Sequence, residues 1–272
     1  MAIPTSAKDT NLNVQPMSDE HTTPQGSRPS HRTAAIIPAA GRGVRLGPGA
    51  PKALRALGGL PMLVHAVRAM ARARAVALVV VVAPPDGVSE VRRMLDEHPL
   101  PDGGTEVLVV PGGETRQQSV RHGLDALPVG VDAVLVHDAA RPLVPVDTVE
   151  AVISALRDGA PAVVPAVPLA DTVKEVEPAV GRAWEQVLGT PDRSRLRAVQ
   201  TPQGFDRAVL AEAHERVACE GEGATDDAGM VERLGRPVVL VPGHEEAFKV
   251  TRPLDLVLAE AVLARRRAHD GY

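Results

Sequence analysis

Ile36-Ile37-Pro38-Ala39-Ala40-Gly41-Arg42-Gly43-Val44-Arg45-Leu46-Gly47, with Pro51-Lys52 just beyond, is the stretch that decides the fold. An apolar run ends abruptly in small residues, and glycines, arginines and a lysine follow. Ala39, Ala40, Gly41 and Gly43 let backbone amides approach a bulky anion, and Arg and Lys bring the opposite charge. The stretch reads as a strand feeding a loop that wraps a nucleoside triphosphate. Its spacing is neither GxGxxG nor GxxxxGK[ST]. Glycines alone would equally fit a plain strand-to-helix turn. Arg42, Arg45 and Lys52, with no acid between them, favour the anion loop, because solvated loops usually mix signs.

Working outward, apolar strands alternate with helical periods. Strands are expected over Ala34–Pro38, Ala77–Val82, Val107–Val110, Val131–Val136 and Ala162–Ala166. Helices are expected over Pro61–Ala73, with Leu63, Val67 and Met70 on one face, over Ser89–Leu95 with a serine cap, and over Thr115–Leu127. A capping box, Asp147-x-x-Glu150, is expected to open a further helix to Arg157. Strands too continuously apolar to have a wet face imply a mostly parallel sheet covered on both sides. Ligands of such α/β, doubly wound, Rossmann-like sheets bind at the carboxyl ends of the strands, where the loops at Gly41, Gly112 and Asp138 should meet.

The alternation breaks over Asp171–Val199, where short polar strand-like pieces surround a turn with Pro178 and Gly181. This predicts a projecting β-arm at about 171–199, whose exposed edges a second subunit would cover. A helix at Arg207–Ala218, a strand at Pro237–Val241 and a last helix from about Pro253 to Arg267, capped by Thr251, complete one domain at 33–268. Residues 1–32 are polar, lack the apolar core of a secretion signal and read as a disordered tail.

Composition narrows the function. The 272 residues are 44% apolar and 24% charged, as in a globular protein, but only 1% aromatic. Base-stacking platforms for single-stranded nucleic acid need aromatics, and a formal charge of −4 gives no polyanion-binding surface. Cys219 is the sole cysteine, which leaves neither an internal disulfide nor a zinc cluster and fits a reducing cytoplasm. No apolar run approaches the roughly 20 residues of a membrane span.

Three further segments carry chemistry. His137-Asp138-Ala139-Ala140-Arg141-Pro142 closes a strand. Asp138 there can hold Mg²⁺ beside phosphate oxygens, and Arg141 can take a second phosphate bidentately; a surface Asp–Arg turn fits as well. In Gly112-Gly113-Glu114-Thr115-Arg116-Gln117-Gln118-Ser119, the glycine amides are expected to read a base edge and Ser119 to face the same ligand, with Thr115 as a helix cap. Lys249-Val250-Thr251-Arg252-Pro253 puts a cation before the last helix. His137 reads as a packing residue, with no nucleophile nearby to activate.

Together with Asp171-Thr172-Val173-Lys174 and Thr201-Pro202-Gln203, these motifs resemble the 2-C-methyl-D-erythritol 4-phosphate cytidylyltransferases of non-mevalonate isoprenoid synthesis, from about Thr33 to Ala264. The resemblance implies transfer of CMP from CTP to methylerythritol phosphate with Mg²⁺, which Mn²⁺ can replace, and release of pyrophosphate. It assigns Arg45 and Lys52 to the triphosphate and the transition state. Gly113, Glu114 and Ser119 would read cytosine, and Asp138 would work beside the metal. Arg141, Thr172, Arg193 and Lys249 would hold the methylerythritol phosphate. Thr172 and Arg193 would lie on an arm exchanged within a homodimer. Thr225-Asp226-Asp227-Ala228 keeps the family's form, whereas Ala247 stands where the family usually has Asn, a place that Glu245 and Glu246 are expected partly to fill. The alternatives are another nucleotidyltransferase of this fold, acting on a sugar or alcohol phosphate, and a nucleotide-binding regulatory subunit.

Overall fold

A computed structural model describes residues 32–41, 51–100, 104–179, 181–217 and 225–270. Residues 1–31 of the expected tail, Gly43, Arg45 and Cys219 lie outside them, while Arg32, expected in the tail, opens β1. In chain order the elements are β1 (Arg32–Pro38), β2 (Ala56–Leu57), β3 (Leu60–Pro61), α1 (Met62–Ala71), β4 (Val76–Ala83), α2 (Val88–Asp96), β5 (Glu106–Pro111), α3 (Arg116–Asp125), β6 (Val131–Val136), α4 (Val146–Arg157), β7 (Ala162–Pro168), β8 (Glu175–Glu177), β9 (Gln186–Gly189), β10 (Arg197–Val199), β11 (Gln203–Asp206), α5 (Arg207–Arg216), α6 (Asp227–Arg233), β12 (Val239–Pro242) and α7 (Pro253–Asp270).

The main sheet runs β10-β7-β11-β6-β1-β4-β5, with β12 parallel to β7. β1 pairs in parallel with β4 and β6, and β4 in parallel with β5. Side chains along these strands alternate between two cores, as the period of two requires. Ala35 and Ile37 of β1, with Val79 and Val81 of β4, pack under α1, α2 and α4. Ala34, Ile36, Leu78 and Val80 face α3, α5 and α6 on the other side. Leu63, Val67 and Met70 form the buried stripe of α1, and Val120 and Leu124 that of α3, as their spacing predicts.

Several expectations are corrected. β11, absent from the sequence reading, inserts antiparallel between β6 and β7. Its Gly204 is required by close packing: a Cβ there would come within 2.4 Å of Val152 Cγ1. Arg197–Val199 does not belong with an arm; it pairs antiparallel with Pro168–Ala166 at the main sheet's edge. β8 and β9 form a separate two-stranded sheet; Val187 and Leu188 of β9, and Trp184 just before it, are exposed. Ser89 does not cap α2, because the helix starts one residue earlier with Gly87 at the cap. Asp147 makes no capping box, since Pro145 holds the cap of α4 and Asp147 falls in the first turn. Thr251 does not cap α7; its hydroxyl donates to the Lys249 carbonyl, and Asp255 Oδ2 instead accepts from the Thr251 and Arg252 amides at 2.8 and 2.7 Å.

Candidate active site

The turns after β1, β5 and β6 meet at the carboxyl ends of the parallel strands, where such sheets bind ligands. Ladder geometry carries each turn past its strand: Ala39 donates to Val82 O, Gly112 to Ala83 O and His137 to Ile36 O. Beside them, between the turns after β1 and β5 and the segment after β4, opens a cavity of about 700 Å³, lined by Ala40, Gly41, Pro51, Asp86, Gly112 and Glu114 among others. That volume suits a nucleotide-sized ligand. Lys52 begins the 3₁₀ turn Lys52–Leu54, between the wall residues Pro51 and Leu54. A smaller adjoining cavity shares Ala40, Gly41, Gly113 and Glu114 and reaches Ser119, Arg116 and Asp138.

The glycine turn differs in one respect from its sequence reading. Neither amide is free for a base edge, since Gly112 N–H goes to Ala83 O at 2.7 Å and Gly113 N–H to Ser119 Oγ at 3.2 Å. Ser119 Oγ in turn donates to Thr115 O, so this residue shapes the turn. What remains for a ligand is acceptor capacity on the loop carbonyls. Thr115 and Gln118 form a capping box that fixes the start of α3, a residue after the glycine turn and Glu114. The glycines are required for close approach: a Cβ at Gly112 would meet Ala40 Cβ at 2.9 Å and Ser119 Oγ at 3.0 Å, closing the space between the two turns.

Asp138 is the centre of charge. Its Oδ2 lies 2.9 Å from Lys249 Nζ and 3.5 Å from Arg141 Nε, and its Oδ1 lies 4.0 Å from Arg116 Nε. Burial opposes ionisation of this carboxyl, yet Lys249, Arg116 and Arg141 outweigh it and lower the pKa to about 2. Arg141 acts as a clamp: Nη1 donates to Ala247 O at 2.7 Å and Nη2 to Val199 O at 3.3 Å, tying the residue before Phe248-Lys249 and the end of β10 to the aspartate turn.

His137 is a hydrogen-bond node, beyond the packing role expected of it. Nε2 donates to Arg141 O, which can only accept, so Nδ1 accepts from Thr201 Oγ1, which itself accepts from the Asp138 amide. Burial lowers the imidazole pKa to about 4. Both ring nitrogens are committed and the ring is neutral, so His137 is not a base. The unfolded chain takes up this proton near pH 6.5 and the folded chain only near 4. Stability from this group is therefore full above pH 6.5, falls as pH drops toward 4, and is lost by then, by ~3 kcal/mol. Denaturant titrations of wild type and His137→Asn should show that limb in the former and its loss in the latter.

The structure brings Ala40, Gly41, Gly112, Gly113, Glu114, Ser119, Asp138, Arg141 and Lys249 to this one rim, with Ala39 directly before Ala40 and Lys52 directly after the wall residue Pro51. Thr172 and Arg193 are not tied to it. Both are exposed, Arg193 donates to the Ala170 carbonyl, and among the described residues no hydrogen bond ties either to the Asp138 cluster. Arg116, Thr201 and Asp227 went unassigned in the sequence. All three lie within motifs that the sequence displays, but nothing in those motifs gives them a partner.

Comparison with known proteins agrees with this fold. The family model for 2-C-methyl-D-erythritol 4-phosphate cytidylyltransferase (IspD) matches residues 33–265. The chain belongs to this family. The cytidylyltransferase of that name from Streptomyces avermitilis is 72% identical over 255 residues, which is 93% of this chain and 99% of that protein. Its Streptomyces coelicolor counterpart is 74% identical over 242 residues, 89% of this chain and 88% of the relative. The crystal structure of the Thermus thermophilus cytidylyltransferase superposes with a TM-score of 0.64 at 39% identity, covering 84% and 97% of the two chains.

Within the cytidylyltransferase family frame, the Ala247 position is explained by its backbone. Ala247 is fully buried, and the contact it supplies to the site, its carbonyl to Arg141, needs no side chain. Glu246 does not fill the missing amide's place as expected. It is held by Arg265 and Arg266 of α7, and Arg266 also donates to Leu143 O.

Proposed function

We propose that this chain transfers CMP from CTP to 2-C-methyl-D-erythritol 4-phosphate, with pyrophosphate leaving, at the rim formed by the turns after β1, β5 and β6. The observation that carries the reading is the Asp138 cluster, a partly buried carboxylate ringed by Lys249, Arg141 and Arg116, set beside a cavity of nucleotide size. The nucleophile, a phosphate oxygen, is already an anion. It needs no base, and His137 offers none. Its attack on the α-phosphorus needs alignment and neutralised charge. Lys52, together with Arg45, meets the triphosphate and the charge that builds on the α-phosphoryl group. Gly113, Glu114 and Ser119 face the base. Lys249 and Arg141 receive the methylerythritol phosphate.

Mg²⁺ fits this donor set. Lys249 and Arg141 make their contacts to Asp138 Oδ2 and Arg116 Nε lies 4.0 Å from Oδ1, and among the described residues no cluster of three His, Cys, Asp or Glu side chains competes for a metal there. A hard ion that takes one carboxylate oxygen and fills its other positions with phosphate oxygens and water suits a site of this kind. Asp138 would hold it, and the ion would neutralise triphosphate charge. No helix among the described residues is long and apolar enough to cross a membrane, and a cytoplasmic location is part of the same reading.

Pyrophosphate release should require CTP and methylerythritol phosphate together and cease with EDTA; GTP or dTTP serving equally would point to the alternative nucleotidyltransferase.

We further infer a homodimer in which the 171–196 segment reaches the partner's site. Its support is the exposure of Trp184 and of Val187 and Leu188 of β9 at the detached β8–β9 pair, and the exposure of Thr172 and Arg193, which make no hydrogen bond to the cluster they are expected to serve among the described residues. Arg193→Ala and Lys52→Ala homodimers should each be nearly inactive. Mixed dimers should recover one intact site, because one chain then supplies Lys52 and the other Arg193. A mixture that stays inactive after confirmed subunit exchange removes the exchange.

A further inference from the structure

Behind Arg116 lies a second carboxylate that the chemistry above does not use. Asp227, the first residue of α6, is fully buried. Its Oδ2 lies 2.6 Å from Arg116 Nη1, an ion pair off the line of a hydrogen bond, and its Oδ1 lies 3.2 Å from His214 Nε2 on α5. His214 is buried too, and its Nδ1 has no partner, so the ring carries its proton on Nε2 and donates it to Asp227. Burial raises the Asp227 pKa, but the bond from His214 and the charge of Arg116 outweigh it, so the group stays an anion. Arg116 therefore stands between two carboxylates and is committed to one of them, 2.6 Å from Asp227 and 4.0 Å from Asp138.

The asymmetry has a consequence for Asp138. Lys249 and Arg141 make their contacts to Oδ2, while Arg116 Nε comes only within 4.0 Å of Oδ1. A guanidinium released from Asp227 would close on Oδ1, since charge-assisted pairs with carboxylates are the strong ones. We propose that Asp227, backed by His214, is a positioning residue that holds Arg116 off Asp138 and so keeps Asp138 Oδ1 open toward the cavity. The proposal rests on the transfer reading for its effect on rate, but its geometric content stands apart from it. The pattern Thr225-Asp226-Asp227-Ala228 then has two functions: Asp226 caps α6 and accepts from Gln203 Nε2, while Asp227 faces the site's arginine.

The test is the ligand-free crystal structure and steady-state kinetics of Asp227→Asn. Arg116 should move to within ~3 Å of Asp138. The kcat should fall ~10- to 100-fold, with the KM for CTP changed little, as for groups that orient a site from behind. In an Arg116→Gln background the same substitution should cost no more than about a factor of two, because nothing is left to swing. Arg116 remaining in place, or an equal loss of kcat in both backgrounds, overturns the proposal. Should Asp227→Asn fail to fold, His214→Leu keeps the carboxylate but removes its donor. A smaller shift of Arg116 in the same direction is then expected, and an unmoved Arg116 with unchanged kcat overturns the proposal. Wild type that releases no pyrophosphate from CTP would defeat the transfer reading, while the position of Arg116 in the variant would still decide this one.

Discussion

Lys52→Ala should lower kcat for pyrophosphate release by ~100- to 1000-fold, with a much smaller change in the KM for CTP. The lysine starts the turn that forms one wall of the cavity, with Pro51 and Leu54 on either side of it. Charge on the α-phosphoryl group grows as the attacking phosphate approaches and pyrophosphate departs. A cation aimed at that growing charge lowers the barrier, whereas one that merely grips the ground-state triphosphate lowers KM. The ratio of the two effects therefore identifies the role. A variant with near-wild-type kcat and a raised KM would make Lys52 a binding residue only.

Asp138→Asn should be nearly as damaging, by ~10- to 100-fold in kcat, with loss of the Mg²⁺ response. The asparagine keeps the shape and removes the charge that Lys249, Arg116 and Arg141 surround. The pH dependence gives a second readout. The folded pKa of about 2 lies below the unfolded value, so the carboxylate's contribution to stability is complete above about pH 4 and is lost as pH falls through 2. It amounts to about 2 kcal/mol, which the variant should lack at neutral pH. Because the group stays ionised from pH 5 to 9, any acid limb of activity in that range comes from another group. Full activity in Asp138→Asn with unchanged Mg²⁺ dependence would make the residue structural.

Much of this was legible in the chain because its strands are so plain. Val79 to Val82 and Val134 to Val136 are buried on both faces and read as continuous apolar runs, and each chemical motif begins where such a run stops. β11 was not legible. It has one large apolar residue, Phe205, and its place is set by Gly204 fitting against α4, which no local pattern announces. The caps at Ser89, Asp147 and Thr251 were misplaced for a related reason. Each helix start is set by the backbone entering it, and a polar residue one or two positions away serves the first turn instead, as Asp255 does. The pairing of Arg116 with Asp227 lies deepest of all, since it joins α3 to α6 far along the chain and neither residue signals the other.

The central claim is that the two substrates react directly at this rim, with no residue forming a covalent intermediate. Incubating the protein with CTP and labelled pyrophosphate, without methylerythritol phosphate, tests it most directly. Direct transfer predicts no label in CTP under conditions where the full reaction turns over. Rapid labelling of CTP in the absence of the second substrate would mean that CMP first passes to the protein, and would contradict it.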